Sequence, residues 1–159
     1  MNRILTDYWP VFTEYQAMRG QMLAVLTDAD LAFTPGGANL PLGALCREIG
    51  ETEHIYVESF KTLATDWAYR HPDPSIAGSV ARLTAWYAEL DAELAAVIAA
   101  FSDEQLATQR VRRGPNFAPP IGIHLGIYQE ALLIFYGKAS VYLKALGKPL
   151  SDQLRGWIA

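Results

Sequence analysis

The chain is poor in the residues that serve redox chemistry, secretion and nucleic-acid binding. Of its 159 residues one is cysteine, Cys46, so an internal disulfide is excluded. Cys46 lies within an apolar helical pattern and reads as a buried, inert thiol. No apolar run reaches the roughly 18 residues of a transmembrane helix, and no membrane association is expected. The start, "MNRILTDYWP", has no hydrophobic signal core, which makes a cytoplasmic location the expectation. Positive charge is sparse: 13 Lys and Arg against 17 Asp and Glu give a net charge of −4 and a pI near 5.3. A basic stripe for nucleic acid is absent, and no such partner is expected. The one basic cluster, Arg110, Arg112 and Arg113 in "RVRRG", reads as a solvated loop. Histidines number three, and β-type alternation of useful length is missing.

What is present is helix. The composition, 51% hydrophobic and 19% charged, suits a single domain spanning residues 1–159. Apolar residues recur at helical spacing in four long blocks. The first block carries Leu5, Tyr8, Phe12, Tyr15, Met22 and Leu26 on one stripe. Arg19 falls on that stripe too, either at its edge or reaching into a polar cavity. Pro10 fits a first turn or a kink. The second block runs from about Pro41 to Leu63, with Leu42, Leu45, Ile49, Tyr56 and Phe60 in register. The third runs from Ser75, a plausible N-cap, to Phe101. The fourth runs from about Pro120 to Leu146, stopped by Gly147 and Pro149. Gly137 sits in its middle, where glycine costs about 1 kcal/mol against alanine. "LTDADLA" and "FSDEQLA" read as short helical turns, the second with a Ser102/Gln105 capping box. "SDQLRGWIA" suits a short terminal helix. The expected fold is all-α, a four-helix bundle with short extra helical turns.

Three stretches, "LTDADLAFTPGGANLPLGALCREIGETEHIYV", "AWYAELDAELAAVIAAFSDEQLA" and "YGKASVYLKALGKPLS", resemble in order the bacterial DinB/YfiT-like four-helix bundles. The resemblance implies a divalent metal held by three histidines. One comes from the second helix, and two, as H-x-x-x-H, come from the last long helix just before its glycine. Side chains at i and i+4 share a helix face, so two imidazoles can reach one ion. Relatives include thiol S-transferases and presumed hydrolases, and many members pair as homodimers.

Transferred to this chain, the three ligand positions fall on Glu48, Ala131 and Phe135. Two of these residues cannot bind metal. The chain therefore reads as a degenerate member: no cofactor, no catalytic residue, and a bundle serving as a small-molecule pocket or interaction module, expected as a homodimer. Gly137 is read as permitting close helix packing. The expected pocket comprises Glu48, Thr52, His124, Tyr128, Ala131 and Phe135. His124 shares the helix face of Ala131 and Phe135 but lies roughly 10 Å from the old site centre. His54 lies roughly 240° around the helix from Glu48, and His71 reads as a surface loop residue. Glu48 is expected to face the interior, near Tyr128 or Arg19, where an unpaired carboxylate is costly. The alternative is an enzyme, a hydrolase or thiol transferase working through Glu48, His124 and Tyr128. Zinc or nickel would enter only if the site had been rebuilt.

Overall fold

The computed structural model describes residues 2–158 and contains six α-helices. Four are long: α1 (Trp9–Leu23), α2 (Leu42–Thr62), α3 (Val80–Ala100) and α5 (Ile121–Ala145). Two are single short turns of helix, α4 (Asp103–Thr108) and α6 (Asp152–Trp157). The four long helices form a ring in which α2 packs between α3 and α5, and α1 between α5 and α3. The α2/α5 and α1/α3 seams are therefore opposite edges of the bundle, and the α1/α3 seam is the loosest of the four. Among the described residues the extended backbone amounts to isolated bridges, such as Ala64 with Arg112, and no helix is long and apolar enough to cross a membrane.

The helix ends follow local chemistry. Pro10 occupies the first turn of α1, where its missing N–H has no partner to lose. A π-type turn, Ile4–Tyr8, precedes it. Ser102 and Gln105 form the expected capping box on α4. A second box, Thr27 with Asp30, caps the 3₁₀ turn Asp28–Ala32. The end of α5 is a Schellman motif: Gly147 takes φ +67°, and the Lys148 N–H donates to the Leu143 carbonyl at 2.9 Å. The third helix begins later than its periodicity suggests. Asp73 caps a 3₁₀ turn, Pro74–Gly78, and Ser79 rather than Ser75 caps α3.

The core is aliphatic and aromatic, with Phe12, Met18, Leu42, Cys46, Leu83, Leu94, Tyr128 and Tyr136 all buried. Glycine is decisive at two places on α2. A Cβ on Gly50 would stand 2.3 Å from the Trp86 ring, and one on Gly43 would stand 1.9 Å from the Ala77 carbonyl oxygen. Gly137 is different. A Cβ there would meet nothing within 4 Å, so close packing does not account for it.

Candidate functional site

The α2/α5 seam opens into a cleft of about 160 Å³. Leu45, Glu48, Ile49 and Thr52 line it from α2, and Ala131, Ile134, Phe135 and Lys138 from α5. Glu48 and Thr52 stand one helical turn apart on α2, as do Ala131 and Phe135 on α5, which brings all four to one seam. Phe135 and Ile49 are buried and form the floor, while Glu48 and Lys138 are exposed at the rim. Glu48 does not face the interior as its sequence position suggested. Its neighbours Ile49 and Leu45 take that direction, and α2 turns the carboxylate to solvent. Glu48 and Thr52 also border a second cleft of about 350 Å³ that continues across α2 toward Trp67 and Arg70.

His124 and Tyr128 stand apart from this cleft, both fully buried in the core. The His124 hydrogen bonds fix its tautomer. Arg113 Nη1 donates to Nδ1 at 3.0 Å, so Nε2 carries the proton and donates to Ser59 Oγ at 2.7 Å. Ser59 in turn donates to the Tyr56 carbonyl at 2.7 Å. The ring stacks on Tyr56 at 4.5 Å and meets Phe60 edge-on at 5.0 Å. Burial, reinforced by the Arg113 charge, pushes the imidazole down to about 3. A Ser–His pair in this state is no nucleophile and base: Nε2 is a donor, and the hydroxyl proton is committed to a carbonyl. Arg113 also donates to Tyr56 Oη at 2.6 Å and lies over the Trp67 ring at 4.9 Å. It is therefore half-buried, and of the "RVRRG" cluster Arg110 and Arg112 are the exposed members.

Of the other two histidines, His54 stacks on Tyr69 with centroids 3.8 Å apart, and His71 packs edge-on against Trp86. Neither reaches the cleft. Among the described residues no group of three or more His, Cys, Asp or Glu side chains could hold one metal ion. Of the three positions at which the resemblance would place metal ligands, Glu48, Ala131 and Phe135, one carries a donor, and it stands beside a methyl group and a phenyl ring. This set does not fit a three-ligand centre.

The structure also contains a buried polar centre that sequence reasoning half found. Arg19 does reach inward. Its guanidinium pairs with Glu53 of α2 and Asp91 of α3, and it lies over the Tyr87 ring at 4.5 Å. Gln16 donates to the same two carboxylates. Arg19 is 1% exposed, Glu53 is fully buried and Asp91 is 33% exposed. Burial works against the guanidinium charge, but Glu53 and Asp91 outweigh it and hold the pKa well above the usual arginine value. Burial, with Glu53 adding repulsion against the pull of Arg19, pushes Asp91 up to about 7. The buried Tyr128 hydroxyl and Arg19 Nε have no hydrogen-bond partner. The interior carboxylate is thus Glu53, not Glu48. A signal for it exists in the sequence: Glu53 fills the gap between Ile49 and Tyr56 on the apolar stripe of α2, as Arg19 fills the gap between Tyr15 and Met22 in the first block.

No protein-family profile and no curated protein sequence matches this chain. Solved structures do resemble it. A DinB-like protein from Bacillus cereus superposes with a TM-score of 0.74 at 18% identity, over 91% of this chain and 93% of that one. A DinB-like protein from Bacillus subtilis gives 0.66 at 12% identity, over 85% and 88%. The chain has the DinB-like fold along nearly its whole length.

Proposed function

We propose that this chain is a non-catalytic member of the DinB-like bundles in which the family metal site has closed, leaving the α2/α5 cleft to bind a small organic molecule. The observation that carries the reading is the lining of that cleft. Glu48, Ala131 and Phe135 occupy the positions where the family resemblance expects three histidines, and apolar walls replace metal donors. A ligand of a few heavy atoms fits, its apolar body against Ile49 and Phe135 and a polar end toward Glu48, Thr52 or Lys138. Glu48 and His124 share no cavity, which argues against the remodelled enzyme site.

The same reading includes a cytoplasmic homodimer. The outward face of α5 exposes Ile123, Ile134 and Val141, at 58%, 60% and 54%, on one helical stripe. Ile134 belongs also to the cleft wall, so a second copy seated on this stripe would roof the ligand site. Analytical ultracentrifugation tests it: Ile134→Glu is expected to shift a dimer to monomer.

The deciding experiment for the site is elemental analysis of the untagged protein after separate incubation with Zn²⁺, Ni²⁺ and Mn²⁺ and desalting. The expected result is no retained metal. One equivalent of metal, lost on Glu48→Ala, would overturn the reading and return the chain to the metalloenzymes.

A further inference from the structure

The two walls of the α2/α5 cleft have opposite polarity. On α2 the polar groups are acceptors. Glu48 presents its carboxylate at the rim, and the adjacent Arg47 pairs instead with Glu51, one turn on, at 3.1 Å. Thr52 donates its hydroxyl proton to the Glu48 backbone carbonyl at 2.9 Å, which leaves the hydroxyl oxygen free to accept. On α5 the polar group is the Lys138 ammonium, which can only donate. Between the walls, Leu45, Ile49 and Phe135 are buried and apolar.

Glu48 and Lys138 belong to facing walls of one cleft, yet among the described residues neither makes an ion pair. The neighbouring seam behaves differently: Lys61 of α2 pairs with Glu93 of α3 across it. Long side chains of opposite sign close such a gap where nothing holds them apart. Here Ala131 contributes only a methyl group to the α5 wall, and the cleft stays open between the two charges. A molecule with a single charge would satisfy one wall and leave the other facing its apolar part. A molecule with both charges would satisfy both.

We infer that the molecule taken by the α2/α5 cleft is a zwitterion, an α-amino acid with an aliphatic side chain. Its ammonium group donates to the Glu48 carboxylate and the Thr52 hydroxyl oxygen, its carboxylate accepts from Lys138, and its side chain lies on Ile49 and Phe135. The orientation follows from the walls, with acceptors on α2 and the donor on α5. The inference rests on the reading of this cleft as a small-molecule site and adds the chemical class of the molecule.

The test is a two-dimensional amide NMR titration of the full chain with L-leucine, 3-methylbutylamine and 4-methylpentanoate, which share one side chain and differ in charge. Leucine is expected to shift amides of Thr52, Ala131 and Lys138 and to leave Thr13 and Ala88 unmoved. Each singly charged analogue is expected to bind about fivefold more weakly, the worth of one ion pair at a solvated rim. Glu48→Gln is expected to weaken leucine and 3-methylbutylamine by about that factor and to leave 4-methylpentanoate unchanged. Lys138→Met is expected to weaken leucine and 4-methylpentanoate and to leave 3-methylbutylamine unchanged. Both side chains are exposed and unpaired, so neither variant disturbs the core. Equal affinity for the three compounds, or leucine binding unchanged in both variants, would overturn the inference and leave the cleft a site for small apolar molecules. No shift with any of the three would overturn it as well. Retained metal in the elemental analysis would instead overturn the reading on which it rests.

Discussion

Asp91→Asn tests, through stability, how the buried Arg19, Glu53 and Asp91 group handles its second carboxyl. Asp91 is held at about 7 against 3.8 in an exposed carboxylate. Taken at face value that displacement corresponds to ~4 kcal/mol. The side chain is 33% exposed and shares Arg19 with Glu53, so solvent screening reduces the effect to about 1–2 kcal/mol. The folded chain keeps a proton on Asp91 at pH values where the unfolded chain has released it. The resulting stability is present below about pH 4 and is lost as pH rises through about 7. The groups facing Asp91 are Arg19 and Gln16 from α1, Glu53 from α2, and the Tyr128 and Tyr136 hydroxyls from α5. Of these, Arg19 alone carries positive charge.

His124 acts in the opposite sense. It is buried neutral, whereas the unfolded chain takes up a proton below about 6.5, so its contribution is present above that pH and fades as pH falls toward about 3. The two groups oppose each other over nearly the same window, so wild-type stability is expected to rise less steeply between about pH 4 and pH 7 than His124 alone would dictate. Asparagine at position 91 removes one side of this balance. Urea unfolding across that range is expected to show the variant about 1–2 kcal/mol more stable than wild type near pH 8, with the difference gone near pH 4. The remaining slope should rise with pH, as His124 dictates. A variant less stable than wild type near pH 8 would refute the reasoning. It would mean that Arg19 needs both carboxylates ionised.

Four further changes follow from the packing. Gly137→Ala is expected to stabilise by about 0.5–1 kcal/mol in urea unfolding, because its Cβ enters open space within a long helix. Gly50→Ala is expected to cost about 2 kcal/mol or more, since the Trp86 ring occupies the methyl's place. Ser59→Ala removes the acceptor of the His124 Nε2 proton and is expected to cost about 1–3 kcal/mol in the same assay. Arg19→Ala leaves Glu53 and Asp91 facing each other without a cation. Thermal unfolding near neutral pH should register a loss of about 3–5 kcal/mol, recovered in part as Asp91 protonates at lower pH.

The four long helices were legible because their apolar stripes are long and regular, and their ends carry explicit signals: Pro10, the Ser102/Gln105 box, and Gly147 with Pro149. The start of α3 was not, because Ser75 and Ser79 both satisfy an N-cap pattern. What separates them is Asp73, whose carboxylate caps a 3₁₀ turn in between. The direction of Glu48 is not legible, because a resemblance says which residue corresponds and not how far a helix is rotated. Position 48 borders the cleft but points outward, and the stripe through Ile49, Glu53, Tyr56 and Phe60 is what enters the core. Arg113 was hidden for another reason. Loop residues have no periodicity, so nothing in "RVRRG" marks the one arginine that turns inward onto Tyr56 and His124.

The two opposite edges of the bundle differ in polarity. At the α2/α5 seam Ile49 and Phe135 make an apolar floor, with Glu48 and Lys138 at the rim. At the α1/α3 seam small residues leave the helices loosely joined, and four polar side chains from three helices span the gap. Such a centre is a weak source of net stability, since desolvation offsets most of the Coulomb gain. Apolar residues of similar volume would hold α1 and α3 together at least as well.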